Sequence, residues 1–289
     1  MKFATKIECI DSANNWLDEF TKKIDQAEAP DTIYHHTNDV GLFGILSTKT
    51  FHLSNLFNLN DPSELNYGLG ALKKQLQQYP DVWNLVGEFI KSPDDLAHFF
   101  SLSFSTNHDD LNQWRAYGAN GMGFAIGFNR QLLEKSLCYR DKSGCASLSL
   151  NYEEDDLNKS QKIMAEYFIE MKEFSNKASD FAKLIGHAYQ IAAAYKHKAY
   201  LHEKEYRFLK VVSKDSTEYA QIKTKVSRGE LVKYIEYDWS SSSSALETII
   251  IGPAADETKA RDFIRKCLEI GKLTLPDEKI VVSDIPYRT

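Results

Sequence analysis

The chain has 289 residues, with 35 Lys and Arg against 41 Asp and Glu, so its formal net charge is −6. A charged fraction of 26%, an apolar fraction of 43%, 16 Phe and 15 Tyr exclude a disordered or fibrous chain and predict a soluble folded one. No signal peptide and no run of about 18 apolar residues is evident. The four scattered cysteines, Cys9, Cys138, Cys145 and Cys267, contain no CxxC pair, which argues against a disulfide framework or zinc ribbon and for a reducing, cytoplasmic setting.

In chain order, Trp16, Phe20 and Ile24 fall at four-residue steps and predict an N-terminal helix over about 11–29. TIYHH reads as a strand, Asn38 as the cap of a helix over DVGLFGILST, and KTFHLSN as a second strand. Asp61 and Pro62 predict the start of a helix reaching about Gln78. Phe99–Ser105 reads as a strand, DDLNQWRAYG as a short helix closed by Gly118, and GMGFAIGF as a buried strand. Asn129 caps QLLEKSL, and CASLSLNY is a further strand. Residues 157–201 read as a helical insertion divided at Gly186. EYRFLKVV, YAQIKTKV, LVKYIEYD, ALETIIIG and KIVVSDI read as strands, with one amphipathic helix in ETKARDFIRKCLEIGK. The sum is an α+β domain spanning 1–289, its strands mixed with helices.

Several motifs are missing or unconvincing. There is no Walker A sequence, HExxH or GxSxG, and GANGMGFAIG leads into a strand where a phosphate cradle needs a helix. His35 and His36 are adjacent on a strand and point to opposite faces, so they do not make a metal pair, and no metal site is expected. AAAYKHKAYLHEKEYR mixes Lys, His and Tyr as a nucleic-acid surface does, but Glu203 and Glu205 offset much of its charge.

Three segments carry usable chemistry. Tyr34-His35-His36-Thr37 puts a polar side chain at a strand edge, where it can hold a ribose hydroxyl. Ser103 and Ser105 share a strand face, and Trp114 and Tyr117 are three apart on the next helix. An aromatic there can stack on a nucleobase or nicotinamide while a serine binds its carboxamide. Glu203 and Glu205 share a strand face with Arg207, and two carboxylates there belong in solvent, in ion pairs or in a site. An aromatic core, a hydrogen-bonded histidine and a salt-bridge ladder are the structural alternatives for these three groups.

YHHT followed by GLFGIL resembles the YHGT-type opening of the diphtheria-toxin and poly(ADP-ribose)-polymerase class of ADP-ribosyltransferases. EYRFL resembles the entry to that class's glutamate strand. More broadly, YHHT, FNLNDPSEL, SLSFS, QWRAYG with GMGFAIGF, HEKEYRF, IIIGP and SDIPYR resemble the bacterial family known as domain of unknown function 2971, read here as part of that superfamily. The resemblance implies a split, mixed or antiparallel β-sheet core with peripheral helices and NAD as co-substrate. It implies His35 on the NAD ribose, Glu205 in catalysis with Glu203 beside it, and Tyr117 as the stacking aromatic. Tyr34, Thr37, Ser103, Ser105 and Trp114 complete the expected NAD pocket. Asn60, Asp61 and Glu64 are a family feature that orders a loop or places an acceptor. The acceptor is a protein or a nucleic acid, as in a bacterial toxin or antiphage effector, or water, which makes the protein an NAD glycohydrolase. A non-catalytic nucleotide-binding or protein-interaction module is the competing reading.

Overall fold

The computed structural model describes all residues except 26–29, 59–62, 93–96, 139–144, 228 and 288–289. The N-terminal helix α1 covers Lys6–Asp25, and β1, Thr32–Thr37, follows. Asn38 accepts a hydrogen bond from the Gly41 amide and so caps α2, Asp39–Thr48, as its sequence predicts. Then come β2 (Thr50–Asn55), α3 (Ser63–Leu76), α4 (Pro80–Lys91) and β3 (Ala97–Ser105). Helix α4 lies where the sequence suggested no element; Pro80 at its first turn supplies the start signal. The middle continues with α5 (Leu111–Ala116), β4 (Phe124–Asn129), α6 (Arg130–Leu137) and β5 (Cys145–Ser149). Helices α7 (Glu154–Phe174) and α8 (Ala182–Ala193) lead to β6 (Glu205–Ser213), β7 (Lys223–Ser227), β8 (Glu230–Asp238), β9 (Leu246–Ile251), α9 (Glu257–Gly271) and β10 (Ile280–Val282).

The fold is α+β, with a mixed, largely antiparallel sheet. Every described strand pair is antiparallel except β9 with β10. The order runs β10-β9-β4-β1-β3-β2-β8-β7, with β6 on β3 and β5 on β6. One edge of β3 pairs with β6 along its whole length. Its other edge is shared, with β1 joining at Ser105 and β2 at Phe100 and Ser101. The sheet therefore forks beside Leu102, Ser103 and Phe104.

Two large apolar cores cover the two faces, with a small third cluster of Trp114, Ala125 and Ile250. On one, α2, α6 and α9 bring Leu42, Leu133 and Ile264 onto Phe51, Phe104, Phe128 and Phe208. On the other, α1, α3, α4, α7 and α8 pack over Phe99, Leu148 and Leu209. The helices expected as an insertion are thus part of a core layer. Gly186 lies inside α8, and the break between α7 and α8 falls at Ser175 and the 3₁₀ turn Ala178–Phe181. The glycine-rich GANGMG is a tight turn into β4: Gly121 has φ +81°, and a Cβ on Gly123 would lie 2.2 Å from the Thr37 carbonyl.

Helices α3 and α8 cross closely at Gly68, where a Cβ would come within 2.6 Å of the Ala192 carbonyl oxygen, while Gly70 on the same helix faces open space. Gly68→Ala is expected to destabilise the protein by about 1–3 kcal/mol, because backbone must shift to admit the methyl. Gly70→Ala is expected to be neutral or stabilising by up to about 1 kcal/mol. Urea denaturation of the two variants checks this crossing.

Candidate active site

Alternation along β3 and β6 sets two chemistries on opposite faces. Phe104 and Leu102 pair with Tyr206 and Phe208 over the α2–α6–α9 core. Ser105 and Ser103 pair with Glu205 and Arg207 on the other face, where polar side chains meet the ends of α3 and α8. Arg207 is 1% exposed, and a buried guanidinium needs partners for its donors. Its Nη2 and Nε reach Glu205 Oε1 at 2.7 and 2.8 Å, and its Nη1 reaches Glu64 Oε1 at 2.6 Å and the Ala193 carbonyl at 3.1 Å.

Lys196 is the second buried cation. Its Nζ donates to Glu203 Oε2 at 2.5 Å and Glu205 Oε2 at 2.9 Å, and lies 3.7 Å from Glu64 Oε2. Glu203 is not on the strand, as its spacing from Glu205 had suggested. It ends the 3₁₀ turn Lys198–Glu203, and Lys204 at φ 43° reverses the chain before β6. That left-handed residue lets both carboxylates reach one ammonium. The Glu203 carbonyl is anchored by Ser105 Oγ at 2.8 Å, with Gln113 Nε2 at 3.4 Å.

Three carboxylates thus face two cations, leaving one formal negative charge in excess. Burial by itself would raise the Glu205 carboxyl. Arg207, Lys196 and a 2.5 Å hydrogen bond from Ser103 Oγ outweigh it and hold the group at about 2. Burial would likewise lower Lys196 and Arg207, but the carboxylates push both above their ordinary values. Tyr152, whose hydroxyl accepts from the Glu205 amide at 3.1 Å, is pushed up to about 12, mainly by burial. Glu203 Oε1 receives a long 3.3 Å bond from the Tyr117 hydroxyl and Glu64 Oε2 lies 3.7 Å from Lys196, so both are less fully engaged than the oxygens of Glu205.

These groups line a cavity of about 320 Å³ at the fork, within the range of small-molecule sites. His35, the three serines of β3 and Tyr117 share it with Glu203 and Glu205. The His35 Cβ projects to the face opposite Glu205, since Tyr34 pairs with Ser105. Its ring turns into the fork, where Nδ1 donates to the Ser103 carbonyl at 3.0 Å, which leaves Nε2 as the acceptor nitrogen. Burial lowers its pKa, partly opposed by that bond. His36 stands on the carboxylate face but is 7% exposed, its ring edge-on to Trp114 at 5.0 Å.

Of the residues expected here, His35, Tyr34, Ser103, Ser105, Tyr117, Glu203 and Glu205 line this cavity. Trp114 does not. It is fully buried, its Nε1 donates to Asp109 at 2.6 Å, and it supports His36 from behind. Trp114 lies inside α5 and Tyr117 caps its C-terminus; the first ring is buried and the second lines the cavity. Thr37 sits beyond the cavity, paired with Phe124. Asn60 and Asp61 lie outside the described residues, while Glu64 joins the ion network. Sequence reasoning missed Lys196, which it placed in an exposed basic patch; the apolar run IAAAY just before it was the available sign of burial.

Among the described residues no group of three His, Cys, Asp or Glu is arranged to hold a metal, and no helix is long and apolar enough to cross a membrane. A family profile described as "Protein of unknown function (DUF2971)" matches residues 113–208, a stretch that contains Tyr117, Lys196, Glu203, Glu205 and Arg207. No curated protein and no solved structure matches the chain.

Replacing Arg207 by Met strands Glu205 and Glu64 without their guanidinium, and a loss of about 3–5 kcal/mol in urea denaturation is expected. Stability should also fall in acid in two stages. Burial, with His35 beside it, lowers His36 to about 4 against Asp109 and Asp110, and burial lowers His187 to about 4. Between pH 6.5 and 4 the unfolded chain therefore binds protons that the native state does not, costing about 1.4 kcal/mol per pH unit for each histidine. Below about 4.5 the stability that ionised Glu205 contributes is lost progressively toward pH 2. His35 and His52, also lowered by burial, add to the same stage, so His36→Asn should reduce its slope by one histidine's share, which urea midpoints at pH 7, 5.5 and 4.5 measure.

Proposed function

We propose that the protein cleaves NAD at the nicotinamide–ribose bond and transfers the ADP-ribosyl group to an acceptor. The observation that carries this reading is the excess carboxylate charge in a half-open cavity where the sheet forks, with His35 and Tyr117 beside it. Leaving of nicotinamide takes the bonding electron pair to the ring nitrogen and builds positive charge on the ribose. A fixed, poorly hydrated negative field stabilises that charge as it develops and needs no reorganisation to do so.

In this reading Glu203 faces the ribose, because its Oε1 lines the cavity with Tyr117 and receives one long 3.3 Å bond. Glu205, held by Arg207, Lys196 and Ser103, supplies field and positions Lys196. The Nε2 of His35 accepts from a ribose hydroxyl, and Tyr117 borders the nicotinamide. The nicotinamide riboside half occupies the cavity, and the adenylate half runs out through its mouth. An ADP-ribosyltransferase-like split sheet agrees with the fork beside Ser103. The acceptor is a protein, a nucleic acid or water.

A second reading is a nucleotide-binding module without turnover. It draws on the full occupation of Glu205, whose oxygens take bonds from Arg207, Ser103 and Lys196.

Calorimetric titration with NAD, followed by nicotinamide release and transfer of adenylate-labelled NAD into total protein, RNA and DNA, tests both. Binding with turnover is expected, with Glu203→Gln lowering kcat about 10²–10³-fold at little change in KM. His35→Ala is expected to raise KM more than it lowers kcat. Binding without nicotinamide release in the presence of all acceptors selects the module, and no binding at millimolar NAD removes both readings.

A further inference from the structure

Outside the cavity, one pair of reactive groups is brought together by the fold and used by nothing described above. Cys138 caps the C-terminus of α6, and Cys145 opens β5. Their sulfurs lie 3.3 Å apart, both partly buried and both in the thiol form. A disulfide needs about 2.05 Å, so closure takes a relative movement of only about 1.2 Å. The other two cysteines are sealed in the cores, with Cys9 at 0% and Cys267 at 1% exposure.

The elements on either side of the pair are already tied together. Glu134 of α6 accepts from Ser147 Oγ of β5 at 3.2 Å and from the Tyr206 hydroxyl of β6, and it pairs with Arg130 at 2.9 Å. Strand β5 runs beside β6 with Cys145 opposite Lys210, Ala146 opposite Leu209 and Leu148 opposite Arg207. The sulfurs are therefore held in register by hydrogen bonds that do not involve them. A bridge between them would close a short loop across two elements that are already held together.

We propose that Cys138 and Cys145 form a modification site, closing to an intramolecular disulfide compatible with the native fold on exchange with a small-molecule disulfide of the glutathione type. One thiol loses its proton and attacks the oxidant, giving a mixed disulfide and one glutathione thiolate. The second cysteine sulfur then attacks the protein-side sulfur and releases the other glutathione. Two electrons pass from the cysteine pair to the oxidant, and two protons leave with them. Contact with Cys145, then burial and Glu134, push the Cys138 thiol up, so little thiolate stands ready and closure is slow exchange. This proposal rests on the α6–β5 geometry alone and is independent of the NAD reading.

The test equilibrates the full chain with glutathione and glutathione disulfide over a range of ratios, then quenches, unfolds and alkylates it for mass analysis. At oxidising ratios two of the four cysteines should escape alkylation. Trypsin cutting at Arg140 or Lys142 should leave two peptides joined until dithiothreitol is added. The closed form should melt about 4 °C higher, since an eight-residue loop is constrained. Cys145→Ser should show neither joined peptide nor higher Tm. Four alkylated cysteines at every ratio, a persistent glutathione adduct, a bond to Cys9 or Cys267, a disulfide-linked dimer, or closure without a rise in Tm would each overturn the proposal. The wild-type masses decide the matter even where the serine variant folds poorly.

Discussion

The buried ion network around Arg207 is the interaction on which the rest of the site depends. A buried guanidinium near the start of a strand paired on both edges is costly unless its donors are filled, and Glu205 on the same strand and Glu64 of α3 fill them. Lys196 then holds Glu203 and Glu205 together. The start of α3, the segment after α8, the turn before β6 and β6 itself are thereby joined at one point. None of these charges is stable in the interior without the others.

The fork of the sheet gives that network an opening. Because β1 and β2 share one edge of β3, the backbone around Ser103 lacks a strand partner on that side. A buried carbonyl has to be satisfied, and His35 supplies the donor. The imidazole and the carboxylates start from opposite faces of the sheet and meet only because the sheet opens between them. In the proposed reading this opening is where the nicotinamide half of NAD enters.

Strand β6 is held firmly from both faces. Tyr206 points to the α6 side and is gripped by Glu134, while its neighbours Glu205 and Arg207 are gripped by the ion network. A carboxylate that acts by its field needs such fixity, because a mobile one would relax toward solvent and lose its effect. A second cavity, of about 620 Å³, is walled by Trp16, Phe20, Tyr152 and Tyr195. Tyr152 touches both regions, its hydroxyl accepting the Glu205 amide.

Most elements were legible in the sequence because their signals are local. The Asn38 and Asn129 caps, the alternation in FSLSFS and the apolar run IIIG each act within a few residues. That Ser103 and Ser105 share one face of their strand, and Glu205 and Arg207 one face of theirs, could likewise be read from two-residue periodicity, whereas the β3–β6 register puts the two pairs side by side. What the sequence could not show was anything decided by closure of the two layers. Lys196 reads as an exposed cation until α8 delivers it among three carboxylates, and Trp114 reads as a stacking ring until α5 packs it against Ala125 and Ile250. Strand alternation alone sets His35 apart from Glu205; only the shared edge of β3 brings them into one cavity. The sequence by itself determined which residue types line each face, because backbone geometry alternates them locally. Tertiary structure alone decided which charges meet, because desolvation and pairing depend on segments about 140 residues apart, as Glu64 and Arg207 are.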